Sequence, residues 1–462
     1  MESDTMRTRP NILMVLADQH NAGWLGCEGH PQVLTPNLDA FARTAVRFTN
    51  AYTQNTICTP SRVSVLSAQY CHNHGYYGLS GPSAMSPTNL FRQVKAHGYR
   101  TAAYGKLHLP SSPRNWIADD VDEFGDTYET ADGEFGNSLY FQYLEKLGLR
   151  DLEDSWHNTS GTYGPKTIHL DAMPSKLPYE HTQERWCIDH ALQFIDQEPE
   201  QPFCIQVALQ RPHHPLLPQQ EFWDLYPEDL KLPEGMDRCP ETRPPTFTTT
   251  WTSHHESKWD YAADGEPIKE GFRRAWRGTL ACVTQMDDIF GRLMAELESR
   301  GLTDDTIVIY SSDHGGYHGI HGIREKAPGI CSNEVCRVPL LWRVPGMTKP
   351  DTVQDALIES IDFTPTLLSL CGLPALDSAD GCDTTPLLKG DVKAIHQCAV
   401  TENAWSKSIR WDKWRLVHYP QAMFDGQDEG ELYDMDNDPC EQHNLYHDAD
   451  HRQIVEQGRL ML

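Results

Sequence analysis

No stretch of this 462-residue chain reaches the roughly 20 apolar residues needed to span a bilayer. Its first apolar run, residues 12–17, is shorter than the h-region of about 7–15 residues that a secretory signal requires. The sequence therefore reads as cytoplasmic, with no membrane partner. Basic residues are scarce: 39 Lys and Arg stand against 66 Asp and Glu, a formal net charge of −27. A surface of that sign repels a polyanion and gains nothing from counterion release, which argues against nucleic acid as a partner. No Lys/Arg run offsets the deficit; Arg273, Arg274 and Arg277 come nearest, and they read as a solvated helix face. The thirteen cysteines are odd in number, contain no CxxC pair and follow no regular spacing. That fits a reduced protein better than a disulfide framework.

Apolar content is ample. Hydrophobic residues make up 39% of the chain and aromatics 10%, enough to bury a large core and too much for a disordered chain. Apolar runs alternate with helical patterns. Residues 12–17 form a short, wholly apolar run, as a buried parallel strand does. Residues 37–48 follow with helical spacing. Further strands are expected at 101–104, 203–209, 306–311 and 338–342, and helices at 184–197, 270–300 and 362–371. In the long helix Trp276, Leu280, Val283, Met286, Phe290, Leu293 and Leu297 recur at steps of three and four, and Gly301 offers a C-cap. This alternation predicts a doubly wound α/β core. Two polar, proline-rich stretches, 110–176 and 215–270, read as surface excursions that shape a pocket. Beyond about residue 390, short β-like runs at 398–401, 408–411 and 415–419 suggest a small antiparallel sheet. The expected division is a catalytic domain over 1–390 and a C-terminal α+β subdomain over 391–462.

The first strand ends in Asp18-Gln19, and the strand 306–311 ends in Ser312-Asp313-His314-Gly315. Functional groups in open α/β sheets gather beyond the carboxyl ends of strands, so these two pairs are expected at one edge. Two carboxylates, an amide and an imidazole suit a divalent cation; each Asp could equally be a turn cap. In Cys58-Thr59-Pro60-Ser61-Arg62, Thr59 reads as an N-cap with Pro60 at the first helical position. Cys58 would then sit at the positive end of a helix, where a thiol pKa falls and an anion is stabilised. It could also be one more structural cysteine.

Cys-x-Pro-Ser-Arg is the signature of type I sulfatases, and other segments resemble that family in the same order. They are Arg9-Pro-Asn-Ile-Leu, Thr35-Pro-Asn-Leu-Asp, the Lys106-x-His108 element, Pro212-His213-His214-Pro215, Ser312-Asp-His-Gly, His321-Gly and Lys326. Arg337-Val-Pro-Leu, Glu431-Leu-Tyr-Asp, Asn437-Asp-Pro and Asn444-Leu complete the series. The resemblance implies a three-layer α/β sandwich of the alkaline-phosphatase superfamily, with a mixed central sheet and a small C-terminal antiparallel sheet. It implies oxidation of Cys58 to formylglycine by a formylglycine-generating maturation enzyme. One hydroxyl of the hydrated aldehyde would attack sulfur and displace the alcohol. The other, deprotonated, would restore the aldehyde and expel sulfate. By the same resemblance Arg62 and Lys106 hold the diol, and His108 is the base for the collapse step. His213 and Lys326 bind sulfate and protonate the departing oxygen. Asp18, Gln19, Asp313 and His314 hold Ca²⁺, with Mg²⁺ or Mn²⁺ as alternatives.

The sequence also departs from the family pattern. Gln19 stands where many members have a second Asp, and His314 where many have Asn. Both variants resemble the branch with choline sulfatases and phosphonate monoester hydrolases. The expected function is hydrolysis of a sulfate ester of a carbohydrate or other small organic alcohol, with a phosphonate monoester or phosphodiester hydrolase as the alternative. The negative far field predicts a small sulfated substrate rather than a heavily sulfated polymer. A homo-oligomer stays open.

Overall fold

The computed structural model describes residues 9–79, 81, 88–110, 115–130, 134, 136–153, 172–233, 236, 243–244, 268–323, 326 and 330–462, the side chains of 268 and 269 excepted. Large parts of the two expected excursions lie outside the described residues.

Strand β1, Asn11–Asp18, is buried along its whole length. Its side chains alternate between two cores: Leu13, Val15 and Ala17 face one, Ile12, Met14 and Leu16 the other. A strand buried on both faces must be apolar throughout, which is why its sequence is a continuous run. Around it lie β2 (Val46–Tyr52), β3 (Arg100–Gly105), β4 (Glu123–Asp126), β5 (Phe203–Pro212), β6 (Thr306–Ser312), β7 (Arg337–Arg343) and β8 (Thr352–Glu359). They form one sheet in the order β4-β3-β5-β1-β6-β7-β2-β8. Neighbours are parallel except at β7, which runs antiparallel to β6 and β2. The sheet is therefore mixed. The helices Pro36–Ala42, Gln183–Gln197 and Ile268–Ser299 cover one face. The helices Cys58–Ser67, Leu90–Ala96 and Phe363–Leu370 cover the other. This is a three-layer α/β sandwich.

A separate antiparallel sheet follows in the order β12-β11-β10-β9, built from β9 (Cys398–Glu402), β10 (Lys407–Trp411), β11 (Trp414–His418) and β12 (Gly430–Asp434). The helix Arg452–Met461 packs on it through Val455, and Gly458 lies so close that an added Cβ would stand 2.7 Å from Trp411. The edge strand β9 is tied to the main domain: Glu402 N donates to Gln54 O at 2.9 Å, and Thr401 Oγ1 to Thr53 O at 2.6 Å.

Two local expectations are corrected. Residues 37–48 are not one helix: the helix ends at Ala42 and β2 begins at Val46. Val46 and Phe48 are buried and Arg47 and Thr49 are not, so period-two burial against β7 and β8 overrides the helical spacing. Thr59 is not an N-cap. The helix begins at Cys58, with extended Ile57 before it, and Thr59 Oγ1 donates to His108 O at 2.8 Å instead.

Candidate active site

Four adjacent strands, β3-β5-β1-β6, run parallel and end at one edge. Their carboxyl ends deliver Lys106, His213, Asp18 and Asp313 to the same place. The turn at Lys106 is tight: Gly105 has φ 116°, and a Cβ there would fall 1.9 Å from Ala208 O. Only glycine permits that approach. Lys106 N then donates to Ala208 O at 3.0 Å. His213 N donates to Asp18 O at 3.1 Å, joining the ends of β5 and β1.

Cys58 and Arg62 come from the helix after β2. They are one turn apart on a face directed at the strand ends. Arg62 Nε donates to Asp313 Oδ2 at 2.9 Å, Nη2 to Asp18 Oδ2 at 3.1 Å, and Nη1 to Lys106 O at 2.6 Å. Lys106 Nζ lies 2.7 Å from Asp18 Oδ2. Ser61 Oγ fixes the helix start by donating to Asp313 O at 2.5 Å. Cys58 Sγ is 3.8 Å from Asp18 Oδ1 and 3.2 Å from His314 Nε2. Lys326 Nζ donates to Cys58 Sγ at 3.0 Å and to His314 Nε2 at 3.1 Å.

The imidazole protonation follows from the partners. His314 Nδ1 is 2.7 Å from Gly315 O, and a carbonyl only accepts, so Nδ1 carries the hydrogen and Nε2 presents its lone pair. His213 Nδ1 is likewise 2.6 Å from His214 O, which leaves its Nε2 as the acceptor. Burial and the nearby Lys106 cation hold His213 well below its usual pKa. For Cys58, burial and the Asp18 charge raise the thiol pKa. Lys326 and Lys106 outweigh them and hold it well below its ordinary value. Burial also opposes ionisation of Asp18, but Lys106, Lys326 and Arg62 keep its carboxyl low.

The donor set fits a divalent cation. Ligand atoms of Asp18, Cys58, Asp313 and His314 lie within 4.8 Å of one another, all buried. Beside Asp313, Gln19 sits at φ 65° with its backbone N donating to Asp313 Oδ1 at 3.2 Å. Its side-chain Oε1 is buried with no hydrogen-bond partner among the described residues. A buried orphan oxygen is costly, and a cation would satisfy it.

Asp18, Cys58, Arg62, Lys106, Asp313, His314 and Lys326, expected from sequence, thus form one contact network. Gln19 and His213 join it through their backbones, and His108 through its carbonyl. His108 also has φ 44° and a buried Nδ1 without a hydrogen-bond partner among the described residues. His321 goes elsewhere, into a cluster with Arg243. Several supporting residues were not singled out in the sequence. Ser61 lies inside the cysteine motif and its role could have been read there. Asn21 bridges both backbone groups of Gly316 at 2.7 and 2.8 Å, and His318 Nε2 donates to Gln19 O at 3.1 Å. Neither has a local pattern that announces it.

A mixed α/β sandwich with a buried cysteine, paired carboxylates and three cations at its strand ends defines a hydrolase of anionic esters in the alkaline-phosphatase superfamily. The chain belongs to the sulfatase family, whose model, described as Sulfatase, matches residues 10–373. A second model, N-sulphoglucosamine sulphohydrolase, C-terminal, matches residues 319–461. The chain is 26% identical to an N-acetylglucosamine-6-O-sulfatase of Bacteroides thetaiotaomicron, over 96% of this chain and 84% of that protein. Its fold matches a structure solved in complex with its substrate D-glucosamine-2-N,6-O-disulfate: TM-score 0.74, 21% identity, 98% of this chain and 97% of the other. It also matches the phosphonate monoester hydrolase of Agrobacterium radiobacter: TM-score 0.77, 20% identity, 98% and 94% covered. The protein is a sulfuric ester hydrolase, and its family typically uses a metal and a formylglycine.

Proposed function

We propose that this enzyme removes sulfate from a small sulfated carbohydrate or a comparable small alcohol. Position 58 acts as formylglycine, made from Cys58 by a maturation enzyme, and Asp18, Gln19, Asp313 and His314 hold Ca²⁺. The observation that carries this reading is the setting of Cys58 Sγ, at the first turn of a helix and in contact with Lys326 and His314. Helix N-terminus and cations together favour an anion there.

As a hydrated aldehyde, position 58 supplies one hydroxyl to attack sulfur and a second to expel sulfate and restore the aldehyde. Arg62 pairs with Asp18 and Asp313 and Lys106 with Asp18, which sets the positions of both carboxyl groups. Lys326 meets the sulfate oxygens and offsets charge as the ester bond breaks. His213, its Nε2 free, takes up a proton there from water and gives it to the departing alcohol oxygen. His108 takes the proton from the second hydroxyl. The metal's contribution, when bound, is to draw off negative charge developing on the sulfate oxygens.

The match to an N-acetylglucosamine-6-O-sulfatase supports a sugar as the alcohol. The net charge of −27 supports a monosulfated or short substrate, and the free cysteines support a cytoplasmic setting. Neutral Gln19 and His314 suit a second reading equally, hydrolysis of a phosphodiester or phosphonate monoester, because those esters carry one charge as a sulfate ester does. Rates on an aryl sulfate and an aryl phosphodiester test the choice: the first reading expects the sulfate to be the better substrate by kcat/KM. A better phosphodiester would replace it with the second. A sulfated sugar offered as monosaccharide, short oligomer and polymer at low salt should be cleaved fastest in its small forms.

A further inference from the structure

Away from the strand ends, a second set of metal-ligating side chains meets at the seam between the two sheets. Glu359 ends β8, Asp362 lies in the turn that follows, Cys382 is in the loop beyond the helix Phe363–Leu370, and His396 stands two residues before β9. Ligand atoms of Asp362, Cys382 and His396 lie within 4.8 Å of one another. We propose that these three side chains form a structural site for a single zinc-class divalent cation, independent of the catalytic metal.

Charge and donor type both point to a cation. Glu359 and Asp362 are 1% and 0% exposed. Asp362 Oδ1 accepts from Cys382 N at 2.8 Å, and Oδ2 from Glu359 N at 2.9 Å and from His396 Nε2 at 2.7 Å. Glu359 Oε1 accepts from Val400 N at 2.8 Å and Gln54 Nε2 at 3.3 Å, and Oε2 from Tyr70 OH at 2.6 Å. Among the described residues, neither carboxylate forms an ion pair with Lys or Arg; His396, 3.9 Å from Glu359 Oε2, is the basic group that faces both. Two buried carboxylates against one imidazole leave a deficit of positive charge, and isolated buried charge is expensive. Among the described residues, two other buried carboxylate pairs, Asp18 with Asp313 and Glu431 with Glu441, do contain arginine.

Carboxylates alone would suit calcium or magnesium. A thiolate and an imidazole beside them suit zinc instead. On binding, Cys382 and His396 each give a proton to solvent, the imidazole then turns a ring-nitrogen lone pair to the cation in place of its hydrogen bond to Asp362, and water completes the coordination. His396 and Cys382 are both partly open to solvent, so a cation can reach them. The loop they anchor, residues 371–397, holds only the five-residue helix Thr385–Lys389 as regular structure. Fixing it would fix the start of β9, whose far end hydrogen-bonds to the segment leading into Cys58.

The test is a cobalt titration of the full chain carrying Cys58→Ser, in calcium-saturated buffer, which removes the catalytic thiol from the signal. One equivalent of Co²⁺ should produce a thiolate-to-cobalt charge-transfer band, displaceable by zinc. Adding Cys382→Ser or His396→Gln should abolish the band, whereas adding Cys440→Ser, at an exposed cysteine, should leave it. Zinc should raise Tm in the Cys58→Ser protein and not in the two site variants. Two separate substitutions guard against one that misfolds. Absence of the band, or a band unchanged by Cys382→Ser and His396→Gln, overturns the proposal.

Discussion

Two buried ionic clusters in this protein are built from similar parts and differ in balance. At the strand ends, Asp18 and Asp313 meet Arg62, Lys106 and Lys326, two anions against three cations. Under the second sheet, Arg243 and Arg415 meet Glu431 and Glu441. There Arg243 Nη1 donates to Glu431 Oε2 at 2.7 Å and to Ser332 Oγ at 3.0 Å, and Nη2 to Glu441 Oε2 at 3.1 Å and His321 Nε2 at 3.1 Å. Tyr419 and Tyr433 donate to Glu431 at 2.5 and 2.6 Å. The second cluster pairs its main charges with one another. The first carries surplus positive charge, a cysteine and an orphan amide oxygen, so its pairing is completed by what it binds. Burial of charge marks both; the unspent charge marks the active site.

That contrast can be broken most sharply at Cys58. Cys58→Ala should cost about 10⁴-fold or more in turnover, as loss of a nucleophile does. The change deletes little volume, so the fold should be kept, but it removes a group that Lys326 and Lys106 favour as a thiolate, so Tm should fall modestly. Steady-state rates and a thermal melt on the same preparation check both. Arg243→Met should do the reverse. Leaving Glu431 and Glu441 buried without that partner should cost about 3–5 kcal/mol of stability, while the folded fraction still turns over substrate. Urea unfolding alongside activity per folded molecule reads the split; a stable but inactive Arg243→Met would erase the distinction between the clusters.

A smaller effect sharpens the same comparison through pH. Burial and Arg243 hold His321 below the ordinary histidine value of 6.5. The unfolded chain therefore binds a proton at this residue that the folded one refuses. Stability contributed by His321 is present above about pH 6.5 and falls as pH drops, by at most about 1.4 kcal/mol per unit for one histidine. Unfolding free energies between pH 7 and 5 should show a steeper acid loss in the parent than in His321→Gln.

The same contrast explains what could be read from the sequence. Strands β1, β5 and β6 are buried on both faces, so each is an apolar run ending at a polar stop, and Asp18 and Asp313 stood out at those stops. Cys58 and Arg62 stood out because one helical turn separates them. Strand β8 was missed: Thr352, Gln354 and Asp355 at its outer end leave it half polar at the sheet edge. Strand β2 was hidden because Phe41, Ala45 and Phe48 also satisfy helical spacing. Arg243 itself has no local signature, and although His321-Gly and Glu431-Leu-Tyr-Asp are recognisable segments, nothing local joins them, since Arg243's partners lie 78 to 198 residues away in the chain. Strand ends and helix turns leave short-range marks; a balanced cluster assembled from distant segments leaves none.

The most direct test of the central claim is the mass of the peptide containing position 58. The protein should be produced with a formylglycine-generating enzyme and, in parallel, without one, and both preparations assayed for sulfate release. The account predicts an aldehyde or its hydrate at position 58 in the first preparation, with activity rising in proportion to the converted fraction. Full activity in protein whose Cys58 remains an unmodified thiol would contradict it.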